Sequence, residues 1–316
     1  MIRIEARPQN ATLPLQIAPE DLGAAGNSAP ALTRWVRSHL EEILDPLYQH
    51  GALLFRGFSF SRLSQFEEFA GAFTPQLANY IGGNSPRKKV SGNVYTSTEF
   101  SAKGVISQHN ECSDMNTMPG LVFFYCGQAP TKGGQTPLSD SRNVFKKIRP
   151  EVRHRFSRHG LKYVNNLHTG FGFGRSWQEQ FQTRDRRKVE AYLQENGYEY
   201  EWKPSGGLRT SVVCDAVKVH PVTGEEVWIN QAEVWHLRHQ DSKMQKVLFS
   251  TFDKSNLPLN VYFGDGSPIP ESDLDHIREV LEAEKVLFDW VEGDVLVCDN
   301  YLTAHGREPY EGPRKV

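Results

Sequence analysis

From about Gly120 onward the chain is cut into short apolar runs, among them Leu121-Val122-Phe123-Phe124-Tyr125, Val212-Val213, Val227-Trp228-Ile229 and Val295-Leu296-Val297, with glycine, proline and asparagine between them. Runs this short, closed off by turn-forming residues, predict strands rather than helices. A succession of them favours an antiparallel sandwich or barrel. The N-terminal part is mixed. Across residues 31–48, Leu32, Trp35, Val36, Leu40, Ile43, Leu44 and Leu47 recur at three- to four-residue spacing, which predicts one amphipathic helix closed by Gly51. Ala52-Leu53-Leu54-Phe55 suits a buried strand, and a second helix runs through Phe66-Glu67-Glu68-Phe69-Ala70. Residues 143–159 and 177–196 read as charged helical insertions lying outside the sheets, and 271–284 as a further helix. No internal repeat or proline- and glycine-rich linker marks a boundary, so residues 1–316 are expected to form one domain, with N-terminal helical and strand elements over 31–75.

A chain of 316 residues with 38% hydrophobic content can bury a sizeable core. Its formal charge of -2 offers no bulk attraction to a polyanion or an anionic membrane, so neither nucleic acid nor membrane is expected as a partner. Cys112, Cys126, Cys214 and Cys298 contain no CxxC pair, which argues against a structural zinc site and a disulfide framework. Residues 1–15 lack the basic head and apolar stretch of a secretory signal, and no apolar stretch is long enough to span a bilayer. A cytoplasmic protein is expected.

In Ser107-Gln108-His109-Asn110-Glu111 the histidine and glutamate stand two residues apart, and on an extended strand such residues share a face. Both can grip one ion. A third ligand must come from elsewhere, and His305 follows the apolar strand near Val295 as a histidine at the mouth of a sheet would. Two imidazoles and one carboxylate leave three adjacent octahedral positions open, the arrangement by which non-haem iron(II) binds a co-substrate and dioxygen together. Alone, a His-x-Glu pair also arises by chance on surfaces and in cores.

The order and spacing of several segments add context. His109-Asn110-Glu111, then Pro119-Gly120-Leu121 through Cys126, then Pro130-Thr131-Lys132-Gly133-Gly134-Gln135-Thr136-Pro137-Leu138, resemble the TauD/TfdA family of 2-oxoglutarate oxygenases. Gly51 through Phe58 and His305-Gly306-Arg307-Glu308-Pro309-Tyr310 carry the same likeness. A glutamate in the second ligand position, with Val94-Tyr95-Thr96-Ser97-Thr98-Glu99 upstream, resembles the clavaminate synthase-like and syringomycin-type amino-acid hydroxylase branch. The resemblance implies a mainly β fold with peripheral helices, a double-stranded β-helix or jelly roll, and a hydroxylase that consumes iron(II)-bound 2-oxoglutarate and O2. It also implies roles for single residues. The far carboxylate of 2-oxoglutarate would be met by Arg314, whose planar fork pairs both oxygens, and by the hydroxyl of Thr136. Arg314 stands two residues from the last residue, and Arg307 is the fallback, expected on the substrate side or the surface.

Asn230, in a segment resembling the family's cavity-lining strand, is a candidate substrate contact or else a buried amide satisfied by backbone. Asn110 and Glu99 are candidates to bind a substrate ammonium or to position water. His236 and His239 share a helical face, more simply read as solvated surface, and His154, His159, His168 and His220 have no partner at a metal spacing. The basic clusters 87–89 and 184–188 read as solvated loops. The expected substrate is an amino acid or an aminoacyl group on a carrier protein, in the biosynthesis of a specialised metabolite such as an antibiotic. Desaturation or epoxidation on the same scaffold, a barrel that binds a small ligand without turnover, and a zinc hydrolase using the same three ligands are the alternatives.

Overall fold

Residues 295–298 determine where the two halves of the core lie. In the computed structural model, which describes residues 13–77, 89–92, 94–96, 100–170, 172–239 and 242–316, the strand Val295–Asp299 is buried along its whole length. It pairs antiparallel with Ala52–Phe55 on one edge and Leu121–Tyr125 on the other, and Leu15–Ile17 adds a parallel strand beyond Ala52–Phe55. Because side chains alternate across a strand, Val295 and Val297 enter one apolar cluster with Leu53 and Phe55, while Leu296 and Cys298 enter a second with Ala52 and Leu54. Both faces of the sheet are covered, which is why these runs are apolar without interruption.

The first face is covered by helices. Leu32, Val36, Ile43, Leu47, Phe66 and Phe69 pack there. The single helix expected over 31–48 is two, Ala29–Ser38 and Leu40–His50. The break falls at His39, whose φ of -131° leaves the helical region. Its N–H donates to the carbonyls of Trp35 and Val36, and its ring stacks on Trp35 at 4.6 Å, so the side chain closes the first helix. Gly51 ends the second in a left-handed conformation, φ +78°.

The second face meets another sheet through Leu138, Phe124 and Trp290. That sheet has Thr303–Arg307 at its centre, between Ile106–His109 and Leu138–Asp140, all antiparallel. A turn over 300–302 carries the chain from the first sheet into the second.

Residues 143–196 are not wholly helical insertions. Helices Ser141–Lys147 and Pro150–His159 are separated where Ile148 and Arg149 turn extended ahead of Pro150. Leu161–Leu167 then forms an inner strand of a four-stranded antiparallel sheet with Leu208–Cys214, Glu199–Trp202 and Leu259–Phe263. Its burial pattern hides among polar residues, Lys162, Asn165 and Asn166, so periodicity alone does not expose it. The helix Glu271–Glu284 joins the same apolar cluster as this sheet through Leu274, Ile277 and Val280 and packs against the helices Ser141–Lys147 and Ala232–Trp235 and the strand Leu138–Asp140. The architecture is therefore several sheets with helices packed against them. Among the described residues no helix is long and apolar enough to cross a membrane.

Gly306, beside His305, has a steric reason to be glycine. A Cβ there would lie 2.4 Å from the Ile106 carbonyl oxygen and 3.2 Å from the Gln108 nitrogen, both on the facing strand. Gly306→Ala is expected to force these strands apart and lower stability by about 1–3 kcal/mol, measurable by chemical denaturation. An unchanged midpoint would show that the contact relaxes freely.

Candidate metal centre and its surroundings

His109 and His305 are direct cross-strand partners in the second sheet, and their rings lie 4.8 Å apart between centroids. Directly opposed residues of an antiparallel pair put their side chains on one face. The His109 Nδ1 lies 2.8 Å from the Ser107 carbonyl oxygen. An N–H donated there leaves the Nε2 lone pair for a metal.

Glu111 reaches the same place by another route than expected. The strand ends at His109, and Glu111 opens a turn over 111–114 in which Cys112 adopts φ +56°. Its Oε2 lies 3.8 Å from His305 Nε2. One donor atom from each of His109, Glu111 and His305 lies within 4.8 Å of the others, and an ion with ligand bonds of about 2 Å would draw them slightly together. Glu111 and His305 are buried, and the Phe124 ring meets His305 edge-on at 5.0 Å. Imidazole and carboxylate donors, with an apolar wall on one side, suit ferrous iron.

Glu111 is held in its turn by a residue that motif reasoning overlooked. Asn300 Oδ1 accepts from the Glu111 N–H at 2.7 Å, and its Nδ2 donates to the carbonyls of Glu111 at 2.9 Å and Pro119 at 2.8 Å. Beside it, Asp299 Oδ1 accepts from the N–H groups of Tyr301 and Leu302, and its Oδ2 lies 3.0 Å from His220 Nε2. His220 Nδ1 accepts from the N–H of Thr223, so Nε2 carries the proton toward Asp299. His220, read from sequence as having no partner at a metal spacing, is a buried brace of the 300–302 turn. The only sequence signal for Asn300 was position, just ahead of a histidine-bearing strand.

The residues expected at the 2-oxoglutarate end lie along one segment. Thr136 is buried, and its Oγ1 accepts from Trp290 Nε1 at 3.0 Å, which leaves the hydroxyl proton to be donated. Arg314 Nε donates to the Gly134 carbonyl at 3.1 Å, and its guanidinium lies over the Tyr310 ring at 5.7 Å. The next residue, Lys315, exchanges backbone hydrogen bonds with Gln128, so the segment that carries Arg314 is tied down. Among the described residues no carboxylate pairs with Arg314. Burial, reinforced by the nearby Arg307 charge, pushes its pKa down to about 10. Of the two places expected for Arg307, the substrate side or the surface, burial excludes the surface. Arg307 donates to the carbonyls of Phe100, Ser101 and Gly104, and lies over Tyr310 at 5.2 Å.

The candidate substrate contacts fare differently. Asn110 Nδ2 donates to the Asn300 carbonyl at 2.8 Å and to Ser141 Oγ. Asn230 Nδ2 donates to the Ala216 carbonyl at 3.0 Å while Oδ1 accepts from the Ala232 N–H. Both amides brace backbone, the plainer of the two readings for Asn230. Glu99 lies outside the described residues. Asp114, which sequence reasoning passed over, is a buried carboxylate in the same turn as Glu111, bonded by Gln231 Nε2 at 3.0 Å. It lines a small cavity with Tyr163, Tyr192, Tyr198 and Thr210, and after burial its charge is among the causes that push those tyrosines up.

Such a donor set, on paired strands beside a buried turn, is one that mononuclear non-haem iron enzymes use. Comparison with known proteins places the chain within that class. Residues 12–316 match the model of the taurine catabolism dioxygenase TauD, TfdA family. The chain is 36% identical over 296 residues to the dapdiamide synthesis protein DdaC of Enterobacter agglomerans, covering 93% of this chain and 88% of that one. It is 32% identical over 298 residues to a clavaminate synthase-like protein of Arabidopsis thaliana, covering 92% and 87%. Among solved structures it is similar to the PvcB protein of Pseudomonas aeruginosa, with a TM-score of 0.49 at 15% identity over 87% of this chain and 77% of that one. The chain belongs to the TauD/TfdA family and is a 2-oxoglutarate-dependent dioxygenase that uses iron(II), 2-oxoglutarate and O2.

His239 is part of a different cluster, while His236 Nδ1 accepts from the Arg238 N–H. His239 Nδ1 lies 3.2 Å from Glu233 Oε1, and Arg278 Nε donates to the same oxygen at 2.6 Å. Burial acts to raise the Glu233 carboxyl, but the hydrogen bonds and charges of His239 and Arg278 outweigh it and hold the pKa below its usual 4.5. A lowered carboxyl pKa stabilises the fold above the unfolded value, and that contribution is lost as pH falls through the folded one. Glu233→Gln is therefore expected to reduce stability at neutral pH and to flatten the acid limb below pH 4.5, read by thermal unfolding across pH. An unaltered acid limb would exclude this ion pair as a source of acid sensitivity.

Proposed function

We propose that His109, Glu111 and His305 hold the iron, that Arg314 and Thr136 anchor the far carboxylate of 2-oxoglutarate, and that the enzyme hydroxylates an unactivated carbon of an amino acid or carrier-tethered aminoacyl group in the biosynthesis of a specialised metabolite. The observation that carries this reading is the convergence of two cross-strand imidazoles with a buried carboxylate from the following turn. With iron and co-substrate bound, the site supplies the oxidising power of O2 coupled to decarboxylation of 2-oxoglutarate to succinate.

The chain's own residues orient and shield. Ser107 fixes the His109 ring, and Phe124 excludes water beside His305. A guanidinium that burial and Arg307 make costly to keep charged gains stability when a carboxylate arrives, and its fork pairs two oxygens at once. Trp290 Nε1 donates to Thr136 Oγ1, which leaves the hydroxyl proton free to be donated onward. Asp114, one turn from Glu111, supports an amine-bearing substrate, because a buried carboxylate offers an ammonium a charged partner. The similarity to a protein named for dapdiamide synthesis supports a place in specialised metabolism.

We read residues 1–316 as one domain with a double-stranded β-helix, or jelly-roll, core of the clavaminate synthase-like kind, supported by the family match and by the two sheets that share the Leu138 cluster. Four free cysteines support a cytoplasmic location.

His109→Ala or His305→Ala is expected to abolish iron-dependent O2 uptake on addition of 2-oxoglutarate, whereas His236→Ala leaves it intact. Equal losses in an oxygen-electrode assay would mean that other histidines bind the metal. Arg314→Gln is expected to raise the KM for 2-oxoglutarate by about 10- to 150-fold, the worth of a charged hydrogen-bonded contact of roughly 1.5–3 kcal/mol. An unchanged KM would move the anchor to Arg307. Product mass spectrometry with amino acids and aminoacyl carriers then tests the reaction: a gain of one oxygen supports hydroxylation, and a loss of two hydrogens overturns it.

A further inference from the structure

Two of the three candidate ligands sit on paired strands, whose register sets them opposite one another. Glu111 has no such support. The strand has ended, the next residue is in the left-handed region, and the backbone around 111–114 makes no sheet contact. Something else must fix the backbone from which its carboxylate projects.

We infer that Asn300 is the positioning residue for Glu111, a clamp that sets the third ligand of the iron site; this rests on the ligand assignment proposed above. The amide addresses Glu111 as a neighbouring strand would, accepting from its N–H at 2.7 Å and donating to its carbonyl at 2.9 Å. The second amide hydrogen goes to the Pro119 carbonyl, and the Asn300 backbone N–H goes to the Gly120 carbonyl. The Asn300 carbonyl in turn accepts from Asn110 Nδ2. One fully buried residue therefore ties together both ends of the segment 110–120. Asn300 also lies in the turn that leads into the strand of His305, so the element that delivers one ligand grips the backbone of another. Asparagine suits the task because it offers an acceptor and two donors without charge. Aspartate would oppose two carbonyl oxygens with an oxygen, and alanine would take their partner from three backbone groups, two of them on the buried Glu111. The residue touches no metal, so it acts only through Glu111.

The experiment is titration of the metal-stripped full chain with Mn(II), followed by calorimetry, with unfolding midpoints measured alongside. Asn300→Ala is expected to fold and to bind Mn(II) about 10- to 100-fold more weakly, the usual consequence of losing a group that orients a ligand. Asn300→Asp, which keeps the side-chain size and the contact with the Glu111 N–H, is expected to be weakened as well, and it carries the test if the alanine variant does not fold. Asn166→Ala is the control, since Asn166 Nδ2 donates to the carbonyls of Ser255 and Leu257, remote in the fold from Glu111. It should lose stability while keeping Mn(II) affinity. Wild-type affinity in a folded Asn300 variant, an equal loss in Asn166→Ala, or failure of both Asn300 variants to fold would each overturn the inference. Mn(II) binding that survives His109→Ala would instead overturn the ligand assignment, so the two failures are told apart.

Discussion

The pairing of Thr303–Arg307 with Ile106–His109 is the constraint on which the rest of the site depends. It sets two imidazoles opposite each other, next to a register shift between His305 and Arg307. The close approach has a steric condition, met by Gly306, where any side chain would strike the facing backbone. It also has a topological one. The strand of His305 follows directly from the most deeply buried strand, Val295–Asp299, so the core that packs on both faces of that strand also holds the ligand strand in place. The 300–302 turn between them is braced by Asp299 and His220 and grips Glu111 through Asn300.

Charge is distributed around this frame in a way that suits an anionic co-substrate. Arg307 lies close enough to Arg314 to raise its cost of ionisation, and both lie over the Tyr310 ring. Arg307 spends its hydrogen bonds on three carbonyls of the 100–104 segment, whereas Arg314 spends one on Gly134. The second guanidinium therefore has donor capacity left for a ligand carboxylate, and a buried cation gains most from an anion of matching geometry.

Much of the fold was legible in local pattern. The strands Leu121–Tyr125 and Ala52–Phe55 are the apolar runs read from sequence, and the helix Glu271–Glu284 has the expected bounds. The break at His39 was not legible, because the apolar spacing continues across it and the ring that closes the first helix acts by stacking on Trp35. Leu161–Leu167 escaped notice for the opposite reason. Asn166 finds its partner in neighbouring chain, donating to the Leu257 carbonyl, and such a partner is invisible before the chain folds. The same blindness applied to polar site residues. Asn110 and Asn230 carry the right chemistry for a ligand, and the fold also gives each amide nitrogen a backbone carbonyl to donate to.

What the sequence determined by itself was the inventory: which residue types stand where, the ordered motifs that carry family membership, and the alternation that assigns strands to faces. These are local or pairwise properties of a chain, and they survive without coordinates. What only the tertiary structure decided was convergence. That His305 stands opposite His109, that Glu111 arrives through a turn rather than along a strand, and that Asn300 closes on it from a segment far along the chain all depend on register and loop geometry. Those are set by packing among residues distant in sequence, where a shift of one residue would turn every side chain to the other face.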